Sequence, residues 1–188
     1  SPSFLKSTFT TNQEKRQVLT ERLELEYRIT NTWNSMVVMH TPVSLRFKPA
    51  VQGLVMEVWA PFFNDPPAPP APPGQAFNKL WEYEVVESFF LNSRTKQYLE
   101  VELCPHGQHL VLLLSDRDAF MKELDLQFEA NIIGDHWIGT ALIPWDYFPP
   151  SVDKMNSYAI HGSGTERTYE ALYPIPPEDI ELGQEPDL

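Results

Sequence analysis

The sequence predicts an all-β protein: a single antiparallel β-sandwich, jelly-roll-like in topology, with a short helix ahead of it. Three observations predict this. Nine short segments rich in β-branched and aromatic residues succeed one another between residues 24 and 162. Each is bounded by Gly, Pro, Asn or Asp. Little helix-forming sequence separates them, which argues against the strand–helix alternation of a parallel sheet.

Taken in order, residues 1–11 read as an arm. From Asn12, NQEKRQVLTERLE is rich in helix formers, and Val18, Leu19 and Leu23 follow helical spacing. Residues 1–24 therefore stand apart as an arm and short helix. The strands then run ELEYRIT, PVSLRFKP, GLVMEVWAP, EVVESFFLN, QYLEVEL, HLVLLLS, LDLQFEA, WIGTALIP and SYAIHG. QYLEVEL alternates most cleanly, with Tyr98, Glu100 and Glu102 on one face and Leu99, Val101 and Leu103 on the other. The sandwich is expected to span 25–175. Residues 176–188 form an acidic, proline-rich tail. DPPAPPAPPG, at 65–74, reads as a stiff polyproline connection able to wall a cleft, or to dock on a proline-reading partner.

Composition bounds the function. Hydrophobic residues make up 42% and aromatic residues 12% of 188 residues, enough for one packed domain and against global disorder. A formal charge of −12 argues against nucleic acid or an anionic membrane as partner. Cys104, the one cysteine, has no partner for an internal disulfide. That points to a reducing, cytoplasmic setting, with secretion after signal removal as the alternative. The chain has no apolar run approaching the roughly 20 residues a spanning helix needs.

The search for chemistry gives more binding residues than catalytic ones. GxSxG, HExxH and phosphate-loop patterns are absent. His106 and His109 in CPHGQH invite a metal, with Cys104 near. Pro105 and Gly107 make the stretch a β-turn first, and Cys104 a buried thiol rather than a nucleophile. Asp116 and Asp118 are oxygen donors that could hold calcium, but a solvated turn is the simpler reading. Glu100 and Glu102 share one strand face, so they do not bracket a glycosidic bond from two sides. Trp81, among Glu82, Glu84 and Glu87, suggests a different use. An aromatic plate covers the apolar face of a sugar ring, and carboxylates accept from its hydroxyls.

Longer stretches carry a resemblance. APFFNDPPAP, LWEYEVVESFFLN, YLEVELCPHGQHLVLLL, IPWDYFPP and AIHGS followed by YEALYP resemble uncharacterised protein family 0462, whose human member is named for an open reading frame on chromosome 4. The resemblance runs from about Leu25 to the C-terminus. WEYEVVE is also distantly similar to a segment of family 9 carbohydrate-binding modules and DOMON-like sandwiches. That likeness implies that Trp81 stacks on a sugar and Glu87 accepts from its hydroxyls. It places Glu100 or Glu102 where those modules carry an Arg, His161 where they carry a glutamine, and Tyr169 or Tyr173 at the second stacking tryptophan. DOMON relatives bind haem as well, which makes His106, His109 or His161 conceivable axial ligands.

The expectation is a non-catalytic module that needs no cofactor and binds a carbohydrate or small polyol through Trp81, Glu87, Glu100, Glu102, His161, Tyr169 and Tyr173. The rival expectations are an interaction protein docking through the arm, the polyproline loop or the sheet edges, a metal-dependent or glycoside-acting hydrolase, and a haem or pigment carrier. The sequence leaves the oligomeric state open.

Overall fold

The computed structural model describes residues 24–116, 118–121 and 123–186. The N-terminal arm and helix expected over 1–24 lie, but for Glu24, outside the described residues. Among those described, two antiparallel sheets face each other. One has five strands in the order β1 (Leu25–Ile29), β3 (Val43–Pro49), β4 (Gly53–Pro61), β10 (His136–Pro144) and β9 (Gln127–Ile133). The other has seven: β2 (Asn31–Thr32), β12 (Thr168–Ala171), β11 (Lys154–His161), β5 (Val85–Asn92), β6 (Gln97–Leu103), β7 (His109–Ser115) and β8 (Asp118–Met121).

All nine expected strands form. LDLQFEA is the one displaced, its strand beginning only at Gln127. The sequence reading missed β2, β8 and β12, each of four residues or fewer. Strands this short carry too little alternation to stand out, and their pairing to neighbours defines them.

The side-chain pattern explains the layers. Val43, Leu45 and Phe47 on β3 and Met56, Val58 and Ala60 on β4 alternate inward. They meet Val86, Phe90, Leu99 and Val101 from the seven-stranded sheet in one core, with Trp137 1% exposed within it. β5 is buried on both faces, because a long connection covers the outer side of its sheet. Leu80, fully buried there, packs with Val85, Cys104, Leu110 and Ile160, and Phe77 joins them. Burying Leu80 contributes about 2 kcal/mol towards pinning this connection down.

CPHGQH is the expected turn. Gly107 N–H donates to Cys104 O at 3.0 Å, and Gly107 has φ +98°. The thiol of Cys104 is buried, which pushes it up to about 12. The helices that occur among the described residues are single 3-10 turns, so none is long and apolar enough to cross a membrane.

Candidate functional site

The outer face of the seven-stranded sheet carries the chemistry. β5 and β6 pair so that Glu87 lies directly opposite Glu102, and Phe89 opposite Glu100. On the other side of β5, Glu87 lies opposite Tyr158. Strand alternation therefore gathers Glu87, Glu100 and Glu102 on one face, all three buried, with a carboxylate oxygen of each within 4.8 Å of the others.

Above them the sheet opens into a hollow of about 280 Å³ lined by Trp81, Glu87, Tyr98, Glu100, Leu112, Leu114 and Tyr169. Trp81 sits on the 3-10 turn Leu80–Glu82 and is 40% exposed. Leu80 on the same turn is buried, so the backbone is anchored while the indole stays open. Tyr98 packs against Phe89, ring centroids 6.1 Å apart, and Tyr158 meets the same Phe89 edge-on at 5.7 Å.

Arg167 holds the rim. Its guanidinium donates to the backbone carbonyls of Trp81, Tyr83 and Gly162, and it lies 5.6 Å from the Tyr169 ring centre. Gly162 makes that reach possible. It has φ +85°, and a Cβ there would fall 2.1 Å from Glu166 O, so only glycine closes this corner.

The acids are electrostatically frustrated. Burial raises the pKa of Glu87 and Glu102 well above the carboxylate range, and their acidic neighbours push the same way. Burial brings Glu100 to about 7. Two full charges at such separation repel by about 3 kcal/mol even at an effective dielectric of 20. Burial and mutual repulsion therefore favour the protonated forms, and a protonated member can donate as well as accept. Oε2 of Glu87 is buried without a hydrogen-bond partner, and the Glu102 carboxyl lies against that of Glu100. With three oxygens so close, the same trio could hold a hard cation once those protons leave.

No family model matches the chain. Curated relatives do. A zebrafish (Danio rerio) UPF0462 protein C4orf33 homolog is 62% identical, the match covering 87% of this chain and 84% of that one. The mouse (Mus musculus) homolog is 58% identical over 87% and 86%, and the human (Homo sapiens) UPF0462 protein C4orf33 55% identical over 87% and 83%. The chain belongs to the UPF0462 family. Among solved structures, a "putative carbohydrate-binding protein" from Bacteroides uniformis superposes with TM-score 0.58 at 12% identity, over 88% of this chain and 84% of that one. At that identity the likeness concerns the fold.

In this UPF0462 chain the expected site residues divide. Trp81, Glu87, Glu100 and Tyr169 line one hollow, with Glu102 beside them and fully buried. His161 does not join them. β11 turns Ile160 outward and Ala159 and His161 inward, so the imidazole meets Glu170 and Phe63 on the opposite face. Tyr173 lies past the end of β12, held by Asn156 and beside Tyr27 of the other sheet. The polyproline stretch does not wall this hollow either. It packs on the β6–β7 turn, where Gln108 donates to Ala71 O at 2.7 Å and Gly74 to Gly107 O at 2.9 Å. His106 sits edge-on to Phe62, and burial holds it and His109 below the usual histidine range. Neither belongs to a group of three ligand atoms among the described residues, nor do Asp116 and Asp118. Arg117 between those two lies outside the described residues. Sequence reasoning missed Tyr98 and Arg167. The alternation of QYLEVEL already put Tyr98 beside Glu100, whereas nothing local marks Arg167.

Proposed function

We propose that this protein is a ligand-binding β-sandwich whose hollow takes a small polyhydroxylated molecule, a sugar or related polyol. One observation carries the reading: the half-exposed indole of Trp81 and the rings of Tyr98 and Tyr169 border the same space as the carboxyl groups of Glu87 and Glu100. A pyranose needs this combination. Its C–H face covers an aromatic plate, and its hydroxyls exchange hydrogen bonds with groups that both donate and accept. The fold likeness to a "putative carbohydrate-binding protein" supports the same class.

The clustering of the acids favours binding over bond cleavage. Glu87, Glu100 and Glu102 share one sheet face with oxygens inside 4.8 Å, whereas glycoside hydrolysis calls for carboxyl groups flanking the scissile bond, about 5 Å or more apart.

The test is a glycan array followed by titration calorimetry with wild type and Trp81→Ala. Saturable binding of a saccharide that the variant loses supports the reading. Failure of every saccharide and simple polyol to bind, or equal binding by the variant, defeats it.

A further inference from the structure

A second constellation lies on the other face of the same sheet. His40, in the connection between β2 and β3, reaches Oε2 of Glu170 with Nε2 at 2.5 Å. His161, at the end of β11, reaches the same oxygen with Nε2 at 3.2 Å. Glu170, on β12, sits opposite Ala159 of β11, one diagonal step from His161, and is 130 residues from His40. The fold thus brings three ligand-type side chains from three segments to one point, each presenting an atom within 4.8 Å of the others.

The hydrogen bonding requires a proton or a cation between His40 and Glu170. Nδ1 of His40 faces the carbonyl of Thr41 at 2.8 Å, and a carbonyl only accepts, so the ring proton is on Nδ1. A neutral His40 then points the bare lone pair of Nε2 at a carboxylate oxygen, which is repulsive. Glu170 is 1% exposed, and its Oε1 is buried with no partner. Either an extra proton or a metal ion resolves this. A proton serves the His40 contact alone, whereas a cation at Oε2 takes the lone pairs of both imidazoles and offsets the charge of a carboxylate whose Oε1 has no partner.

The surroundings are those of a metal ligand set. An imidazole whose far nitrogen donates to a backbone carbonyl is oriented for coordination through the near one. The Phe63 ring stacks on His161, centroids 3.7 Å apart, and meets His40 edge-on at 5.1 Å. Glu84 fixes that ring by accepting from Phe63 N–H and Asp65 N–H, each at 3.2 Å. His40 retains 22% side-chain exposure, which gives an ion a way in and leaves a position for water.

We propose that His40, His161 and Glu170 bind a divalent first-row transition ion, zinc in the first instance. Tetrahedral zinc with ligands at about 2.0–2.1 Å sets donor atoms roughly 3.3 Å apart. His161 and Glu170 already match that at 3.2 Å. His40 has to withdraw by roughly 0.8 Å, which its loop position permits. This site is independent of the saccharide hollow.

Zinc alone is the probe, titrated into the full chain after removal of metal with a chelator, against a chromogenic competitor. One equivalent binds per chain, and His40→Gln and His161→Gln each weaken it by at least about 100-fold, beyond the usual loss for an outer partner. Imidazole 15N spectra of the unmutated chain keep the test independent of variant folding: zinc moves the Nε2 signals of His40 and His161 and leaves His106 and His109 in place. Substoichiometric binding, unchanged affinity in both variants, or imidazole signals indifferent to zinc overturns the proposal and leaves a shared proton as the bridging charge.

Discussion

Arg167 donates from its guanidinium to the backbone carbonyl of Trp81, 86 residues away, and to those of Tyr83 and Gly162. The planar fork satisfies three carbonyls of two different segments at once, which a lysine ammonium on its flexible stem cannot reproduce. Arg167→Lys should therefore lower stability by about 1–3 kcal/mol in denaturant unfolding and weaken saccharide binding as the Trp81 turn loosens. Unchanged stability together with unchanged binding would show that the turn does not need this clamp.

Trp81→Ala separates packing from recognition. The indole is 40% exposed, while the tryptophan of the main core, Trp137, is 1% exposed. Truncating Trp81 should cost about 1 kcal/mol of stability, and truncating Trp137 about 3–5 kcal/mol. Paired thermal melts of the two variants check this. A collapse of Trp81→Ala comparable to that of Trp137→Ala would make the indole a structural residue.

The acidic trio makes stability fall with pH. Burial raises the folded-state pKa of Glu100 to about 7, and those of Glu87 and Glu102 are raised as well. Between the ordinary carboxylate range and those raised values, the folded chain holds protons that the unfolded chain has released. The contribution is fully present below about pH 4.5 and is lost as pH rises through about 7 for Glu100. Glu100→Gln removes one ionising member and should stabilise the protein at pH 8 by roughly 1–3 kcal/mol, with little effect at pH 5. Urea midpoints at the two pH values measure it, and an equal shift at both would refute the electrostatic account.

Cys104 reports global opening. Its side chain is fully buried and its thiol lies at about 12. At pH 8 a disulfide reagent should label it only as fast as the chain opens, and stoichiometrically within the dead time in strong denaturant. Rapid labelling of the folded protein would mean that the connection over Leu80 opens locally.

The sequence determined the strands, because alternation and turn residues are local signals. PVSLRFKP, GLVMEVWAP and QYLEVEL each state their two faces without help from a partner. It also determined that Tyr98, Glu100 and Glu102 share a side. It could not say that this side is roofed. The alternation of QYLEVEL reads equally as a solvated face, and the position of Leu80 over Val85 and Leu110 turns it into a buried one. Pairing decided the rest. Glu87 meets Glu102 only through the β5–β6 register, and His161 meets Glu170 only through a four-residue strand too short to announce itself. His161 in particular follows from one parity: a residue one step from Ile160 on a strand faces the opposite way, so the sheet itself divides it from Trp81. Residue type and spacing are written along the chain, whereas which faces are covered and which titratable groups meet depends on pairing between segments, as far apart as the 130 residues between His40 and Glu170.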